Sequence, residues 1–507
     1  MSPHPEDPHD SRLLQAVAPA DWRNPRPAGR YNLVVLGGGT AGLVAAAGAA
    51  GLGARVALIE SALLGGDCLN HGCVPSKALL RAARALRQAE RGAEFGLRGA
   101  APTADFQAVM ARMRELRAVI APHDGAVRMR ELGVDVFFGH GRFVAPDRVQ
   151  VAPRNGSDAV ELRFARALIA TGATAASLPV PGLAEHGCLT NETLFDLQAL
   201  PERLVVVGAG PIGCEMAQAF AAFGSTVTVV AFDPRPLPRE DADAAGLVQA
   251  ALERDGVRFE LGAGLARVEA LPDGARRVVW TREGAEGAVD ADAILLAVGR
   301  RPRTEGLGLE AAGVQVERGF VSADTYLRTN NRRIYAAGDV AGRWQFTHAA
   351  DAMSRLVLRN ALFLPTGRVD RLTIPWCTFT DPEVAHVGAY LHQARELGVE
   401  LAEHRIDLAE IDRALLDGEG AGFAKAIVER RSGKLRGATV VATHAGELLG
   451  EACLAVSRRM RLSDLSSVVH PYPTQASLWG RLGDAAARER LTPRTAALLR
   501  RFLSWRR

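Results

Sequence analysis

The chain has 507 residues, 48% hydrophobic and 23% charged, the balance of a soluble globular protein with room for about three domains. Lysine and arginine number 61 against 57 acids, and the resulting +4 is too small to argue for nucleic acid. Six cysteines exclude a disulfide-stapled secreted scaffold, and the acidic, proline-containing start is not patterned as a signal peptide, so a cytoplasmic protein is expected.

In chain order, residues 1–30 are rich in Pro, His and charge without periodicity, and they predict a mostly disordered leader. Tyr31–Leu36 predicts a strand, Leu43–Gly51 a helix and Ala54–Glu60 a second strand, a βαβ opening. No charge falls between Tyr31 and Ala54, but the glycines there argue for a buried βαβ unit rather than a membrane span. Between strand and helix lies GGGTAG: Gly37 allows the tight turn, Gly39 lets phosphates approach and Gly42 lets the helix pack closely. Glu60, about 20 residues on, is placed to accept from ribose hydroxyls.

Gly65–Lys77 reads GGDCLNHGCVPSK. Cys68 and Cys73 have one further candidate metal ligand nearby, His71, so a zinc site is poorly supplied. A static disulfide is unexpected in a reducing cytoplasm, which leaves a redox-active pair. The apolar-periodic run Ala78–Ala89 predicts a helix beginning near Cys73, where a thiol has a lowered pKa.

Ala167–Gly172 (ALIATG), Ile294–Gly299 (ILLAVG) and Ile334–Asp339 (IYAAGD) predict buried strands ending in small residues. The dinucleotide pattern recurs at Arg203–Val207, Gly208–Gly213 (GAGPIG), Cys214–Phe223 and Ser225–Ala231, so two nucleotide sites are expected. In this second copy Gly208, Gly210 and Gly213 hold the turn positions, but Ala231 stands where the ribose-binding acid belongs. That absence permits a 2′-phosphate and leans to NADPH without excluding NADH; Asp233 lies close by as a ribose acceptor. Arg235 and Arg239 follow, either as a phosphate clamp or as solvated charges.

From about Arg371 the texture changes: Phe423–Glu429 and Leu435–Ala442 predict sheet, and Glu447–Arg459 a helix. The tail Thr492–Arg507 has a Thr cap and Pro at the first helical position. Leu498, Leu499, Phe502 and Leu503 share a face, with Arg500, Arg501, Arg506 and Arg507 around it. The expectation is a tail packed on its own protein or on a dimer partner rather than on a membrane.

These motifs, with ATG, GAGPIGCE, AVGRRP, YAAGDVAG, FTDPEVAHVG and HPYPT, make the chain resemble the class I pyridine nucleotide–disulfide oxidoreductases over about residues 31–485. The resemblance implies an α/β fold: two Rossmann-like dinucleotide-binding domains, for FAD and NAD(P), plus an α+β C-terminal dimerisation domain. The expected boundaries are a leader at 1–30, an FAD domain at 31–180 and 301–370, an NAD(P) domain at 181–300, a dimerisation domain at 371–487 and a basic tail at 488–507. It implies electron flow from NAD(P)H through FAD to the Cys68–Cys73 disulfide and on to an acceptor. Cys73 matches the thiol beside the flavin and Cys68 the outer thiol. Lys77 and Glu215 match the pair near flavin and nicotinamide, and Asp339 the acid that contacts the FAD ribityl and phosphate region. Gly66, Thr171 and Gly172 fall in the family's FAD-binding motifs, and Gly299 in its AVGRRP motif.

The pattern departs at His470–Ser477, HPYPTQAS. Disulfide-reducing members read HxHPTxxE, so Tyr472 replaces the catalytic histidine and Ser477 the glutamate. Tyrosine, with a reference pKa near 10 against about 6.5 for histidine, is a poor acid–base at neutral pH. His470 is the alternative donor. Mercuric reductases also carry tyrosine here, and a thiol-bound soft metal needs electrons and thiolates but no proton donor. They usually add a C-terminal cysteine pair, whereas here the last cysteine is Cys453, and Cys214 and Cys377 read as small buried residues. The expected protein is a homodimeric, FAD-dependent, mercuric-reductase-like NAD(P)H oxidoreductase, with Tyr472 of the partner subunit facing Cys68 and no nucleic acid partner. The alternatives are a dihydrolipoamide-dehydrogenase-like enzyme using His470, and a flavin redox sensor or membrane-docked quinone reductase.

Overall fold

The structure is a computed structural model describing residues 6–27, 29–100, 102–489, 491 and 493–507. By compactness the chain forms two units, one of residues 1–90, 99–234 and 255–372, the other of 91–98, 235–254 and 373–507. Residues 235–254, which the sequence reading gave to the NAD(P) domain, therefore group with the second unit.

In the first unit, β1 (Arg30–Leu36) runs parallel to β2 (Val56–Glu60) and to β5 (Val160–Ile169), with α2 (Thr40–Gly51) as the crossover between β1 and β2. All five residues of β2 are buried, as a doubly covered parallel strand requires. β3 (Val134–Ala145) pairs parallel with β2, and β4 (Arg148–Pro153) is antiparallel to both β3 and β5. Ile334–Ala336 completes this six-stranded sheet beside β5. The second nucleotide unit is a four-stranded parallel sheet in the order 293–296, 203–207, 226–231, 258–261. Both glycine loops thus leave the carboxyl ends of parallel strands, where α/β sheets bind ligands.

The leader expectation is corrected. Pro8–Val17 forms a helix, α1, with Asp7 as its cap accepting from the N–H groups of His9 and Asp10. Leu13 and Val17, one turn apart, are fully buried, and each contributes about 1.5–3 kcal/mol. Val17 C=O accepts from Leu64 N–H at 3.1 Å, Trp22 donates to Val136 C=O, and Asn24 exchanges two hydrogen bonds with Phe138.

The second unit has a five-stranded antiparallel sheet in the order 376–378, 383–388, 435–442, 423–429, 401–407. The helices Ala445–Ser457 and Ser477–Glu489 contribute to its core, where Trp479 is fully buried. The tail forms a helix, Pro493–Trp505, none of whose residues is buried. Thr492, its expected cap, lies outside the described residues. Among the described residues no helix is long and apolar enough to cross a membrane.

Candidate functional site

Three glycines of the first loop have distinct steric reasons. Gly37 has φ +104°, and a Cβ there would meet Ala170 O at 2.3 Å. A Cβ on Gly42 would lie 1.8 Å from Gly37 O, so only glycine lets α2 sit this close to the turn. Gly39 has ordinary extended backbone and its nearest neighbour is 3.7 Å from the Cβ position, which leaves the space a diphosphate needs. That neighbour is Gly66, the first residue of α3 (Gly66–His71), whose own Cβ would press within 2.6 Å of Gly39 Cα. Glu60 is buried at the end of β2, its two oxygens accepting from Gly38 N–H and Ala62 N–H at 2.5 Å each. Burial pushes its carboxyl upward against those two bonds. The remaining lone pairs fit ribose hydroxyls.

Two more loops open at the same sheet edge. Thr171 donates its hydroxyl to Arg303 C=O at 2.7 Å, and Gly172 follows with φ +70°. Asp339 begins a short turn after Gly338, and burial raises its carboxyl while Arg300 opposes. Arg300 pairs with Asp339 at 3.3 Å and with Asp67 at 2.8 Å, joining the Asp339 turn to the cysteine helix. The sequence reading missed this arginine, although it opens the RRP of AVGRRP.

The second loop repeats the first. Gly208 has φ +104° with Ala297 O 2.6 Å from its Cβ position, and a Cβ on Gly213 would lie 2.0 Å from Gly208 O. The Cβ position of Gly210 meets nothing within 4 Å, and its backbone is extended. Gly299 has φ +116° and also faces open space. Gly210→Val is therefore expected to fold but to raise KM for NADPH at least about tenfold, a loss of about 1.4 kcal/mol. Gly213→Val is expected instead to lose about 1–3 kcal/mol of stability through overpacking. Steady-state kinetics beside urea melts separate the two. Ala231 ends its strand buried, with no acid at the position of Glu60. Arg235, grouped with the second unit, donates to Pro238 C=O at 3.0 Å, and Arg239 lies in the same loop.

The cysteines sit on two short helices in series. Cys68 lies in α3, Gly72 breaks the path, and Cys73 is the first residue of α4 (Cys73–Glu90), where free N–H groups and the helix dipole favour an anion. The two sulfurs are not bonded to each other in this structure, which therefore describes the reduced pair. A hydrogen bond from Cys68, aided by Thr347 and the Lys77 cation, pulls Cys73 down to about 6, while the same bond and burial push Cys68 upward. Thr347 Oγ1 is 3.3 Å from Cys73 Sγ. One turn along α4, Lys77 Nζ lies 2.8 Å from Glu215 Oε2, and Glu215 is 4% exposed on the helix Pro211–Phe223. The first unit therefore gathers Cys68, Cys73, Lys77 and Glu215 along α3, α4 and that helix.

His470 and Tyr472 belong to the second unit. His470 Nε2 is 3.0 Å from Glu451 Oε2. Tyr472 donates to Asp412 at 3.1 Å, which holds its phenol above the usual tyrosine range, and its side chain is exposed. Sequence reasoning missed Glu451 and Asp412; neither is in a motif. Ser477 donates to Thr474 C=O. Cys214 is fully buried in the first unit, whereas Cys377 is half-buried in the second rather than deeply buried. Burial pushes the Cys453 thiol up to about 11. Among the described residues no group of three or more His, Cys, Asp or Glu is arranged to hold a metal ion.

The sequence profile of the pyridine nucleotide-disulphide oxidoreductases matches residues 31–354, and that of their dimerisation domain matches 374–481. The chain is 35% identical over 447 residues to a mercuric reductase of Bacillus cereus, spanning 88% of this chain and 70% of that one. It is 31% identical over 470 residues to a dihydrolipoyl dehydrogenase of Bacillus subtilis (strain 168), covering 90% and 98%. Among solved structures, the Cu(II) complex of RclA, an HOCl-induced flavoprotein disulfide reductase of Escherichia coli, superposes with a TM-score of 0.80 at 29% identity, covering 90% of this chain and all of that one.

Proposed function

The chain belongs to the pyridine nucleotide-disulphide oxidoreductase family, a flavoprotein working with FAD and NAD(P)H, and on that premise we propose that Cys68 and Cys73 pass two electrons to a thiol-bound soft metal ion, Hg(II) being the type case. The observation that carries this reading is Tyr472. It stands where disulfide-reducing relatives place a histidine, and Asp412 makes its phenol a still weaker acid. A leaving thiolate would gain little from it. Reduction of a metal thiolate asks for no such donor, because its sulfurs leave a metal and can do so unprotonated: Hg(SR)₂ and NADPH give Hg(0), NADP⁺, two thiolates and a proton.

The residues then divide the work. The two glycine loops hold the diphosphates at strand ends and helix N-termini. Glu60 accepts from one ribose, and Asp339, anchored by Arg300, holds the ribityl and phosphate end. FAD, when bound, relays the reducing equivalents of NAD(P)H to the disulfide. Lys77, fixed by Glu215, places a cation next to Cys73 and so stabilises its thiolate. Cys68, whose proton points at the Cys73 thiolate in the same hydrogen bond, is the sulfur offered to the acceptor, and it passes that proton to Cys73 as it takes the metal. The lack of an acid at Ala231 favours NADPH. The match to the dimerisation domain supports a homodimer.

A second reading has its own observation. His470 is paired with Glu451 at 3.0 Å, a histidine–carboxylate pair of the kind that serves disulfide reduction. The two readings separate on an acceptor panel. NADPH oxidation by the holoenzyme is expected with Hg(II) in excess thiol and to be negligible with oxidised lipoamide, and His470→Gln is expected to change the metal rate less than about threefold. Rapid lipoamide turnover lost in His470→Gln would decide for the second reading.

A further inference from the structure

The tail helix Pro493–Trp505 lies beyond both family matches, and none of its residues is buried. Leu498, Phe502 and Trp505 fall on one line of the helix, at i, i+4 and i+7, with Leu499 and Leu503 widening the stripe. Trp505 is 81% and Leu498 74% exposed. Arg494 and Arg501 flank one edge of the stripe and Arg500 the other; Arg506 and Arg507 follow. No acid occurs from 493 to 507.

We propose that this helix docks the enzyme on an anionic phospholipid surface. Thirteen residues rise about 20 Å, too short to span a bilayer but suited to lying in its interface. The apolar stripe would enter the acyl boundary while the arginines reach lipid phosphates, which match guanidinium geometry. Charge selects the occupant. The tail's five arginines exceed the whole chain's +4, so the rest of the molecule is slightly acidic and close to neutral. A second copy therefore offers almost no net counter-charge, whereas an anionic leaflet attracts each nearby arginine by about 1 kcal/mol. The apolar surface of a dimerisation interface is also already present elsewhere: Leu415, Leu416, Leu454, Val468 and Val469 are exposed within the matched dimerisation domain. This departs from the expectation that the tail packs on protein.

The test is co-sedimentation of the full-length holoenzyme with vesicles of phosphatidylcholine alone and with added phosphatidylglycerol. Binding is expected to the anionic vesicles only, to weaken with salt, and to shift tryptophan emission to the blue, a shift absent in Trp505→Phe. Arg500→Glu/Arg501→Glu is expected to weaken binding by at least about tenfold and Leu498→Glu/Phe502→Glu to abolish it, with NADPH oxidation in solution unchanged. Equal sedimentation of wild type and both double variants would overturn the proposal. So would dissociation of the dimer on truncation after residue 489, which would assign the helix to the partner subunit.

Discussion

Replacing Cys73 with serine is expected to lower acceptor turnover at least about a thousandfold, in line with the loss of an essential nucleophile, while FAD stays bound. The residues proposed to hold the cofactor are Gly37, Gly39, Glu60 and Asp339 rather than Cys73, so flavin absorbance should be retained. A thiolate at Cys73 beside a bound flavin would give a long-wavelength charge-transfer absorbance on reduction by NADPH, and that absorbance should vanish with the turnover. The same site sets a pH dependence. Cys73 is held near 6, below an ordinary thiol, so its thiolate predominates above that pH. Activity is therefore expected to be about half-maximal near pH 6, to level off above it and to fall as pH drops through it. Lys77→Met removes the cation one helical turn away and should move this acid limb upward, a shift that simple loss of packing would not produce. Retained turnover in Cys73→Ser would remove the cysteine pair from the electron path.

The second large effect concerns stability. Arg117 in α5 (Phe106–Ile120) is 1% exposed, with Nη2 paired to Asp10 Oδ1 at 2.8 Å and Nη1 donating to Asn70 C=O at 3.0 Å. It thus ties the N-terminal helix to α3, two residues from Cys68. Asp10→Ala leaves a buried guanidinium without its counter-charge and is expected to cost about 3–5 kcal/mol, read as a lower urea midpoint. Asp7→Ala, which breaks the less buried pair with Arg114 (2.9 Å), should cost distinctly less. Equal midpoints for wild type and Asp10→Ala would mean that α1 does not anchor the fold.

The contrast between these two predictions shows what a sequence discloses. Gly37, Gly42, Gly208 and Gly213 were legible because each obeys a local steric rule at fixed spacing, and the structure shows the clashes that enforce it. The cysteine block was legible because redox chemistry demands rare residues in one short run. The strands 423–429 and 435–442 coincide with their apolar runs. Helix α1 was not legible. Its Pro8 reads as a breaker but occupies the first helical turn, where no hydrogen bond is lost, and its two core contacts, Leu13 and Val17, are too few for a periodic signal. Arg300, Glu451 and Asp412 act through partners distant in sequence: Arg300 reaches Asp67 across more than two hundred residues. The affiliation of 235–254 was hidden for the same reason, since Lys425 holds Asp243 at 2.7 Å and Tyr390 donates to Glu240 at 2.6 Å.

The most direct test of the electron path is a thiol count on the oxidised holoenzyme before and after anaerobic addition of one equivalent of NADPH, with the alkylated positions mapped by mass spectrometry. One NADPH and one proton should convert the disulfide to two new thiols, at Cys68 and Cys73. Consumption of NADPH with no new thiol at either position would contradict the assignment of the pair as the electron outlet.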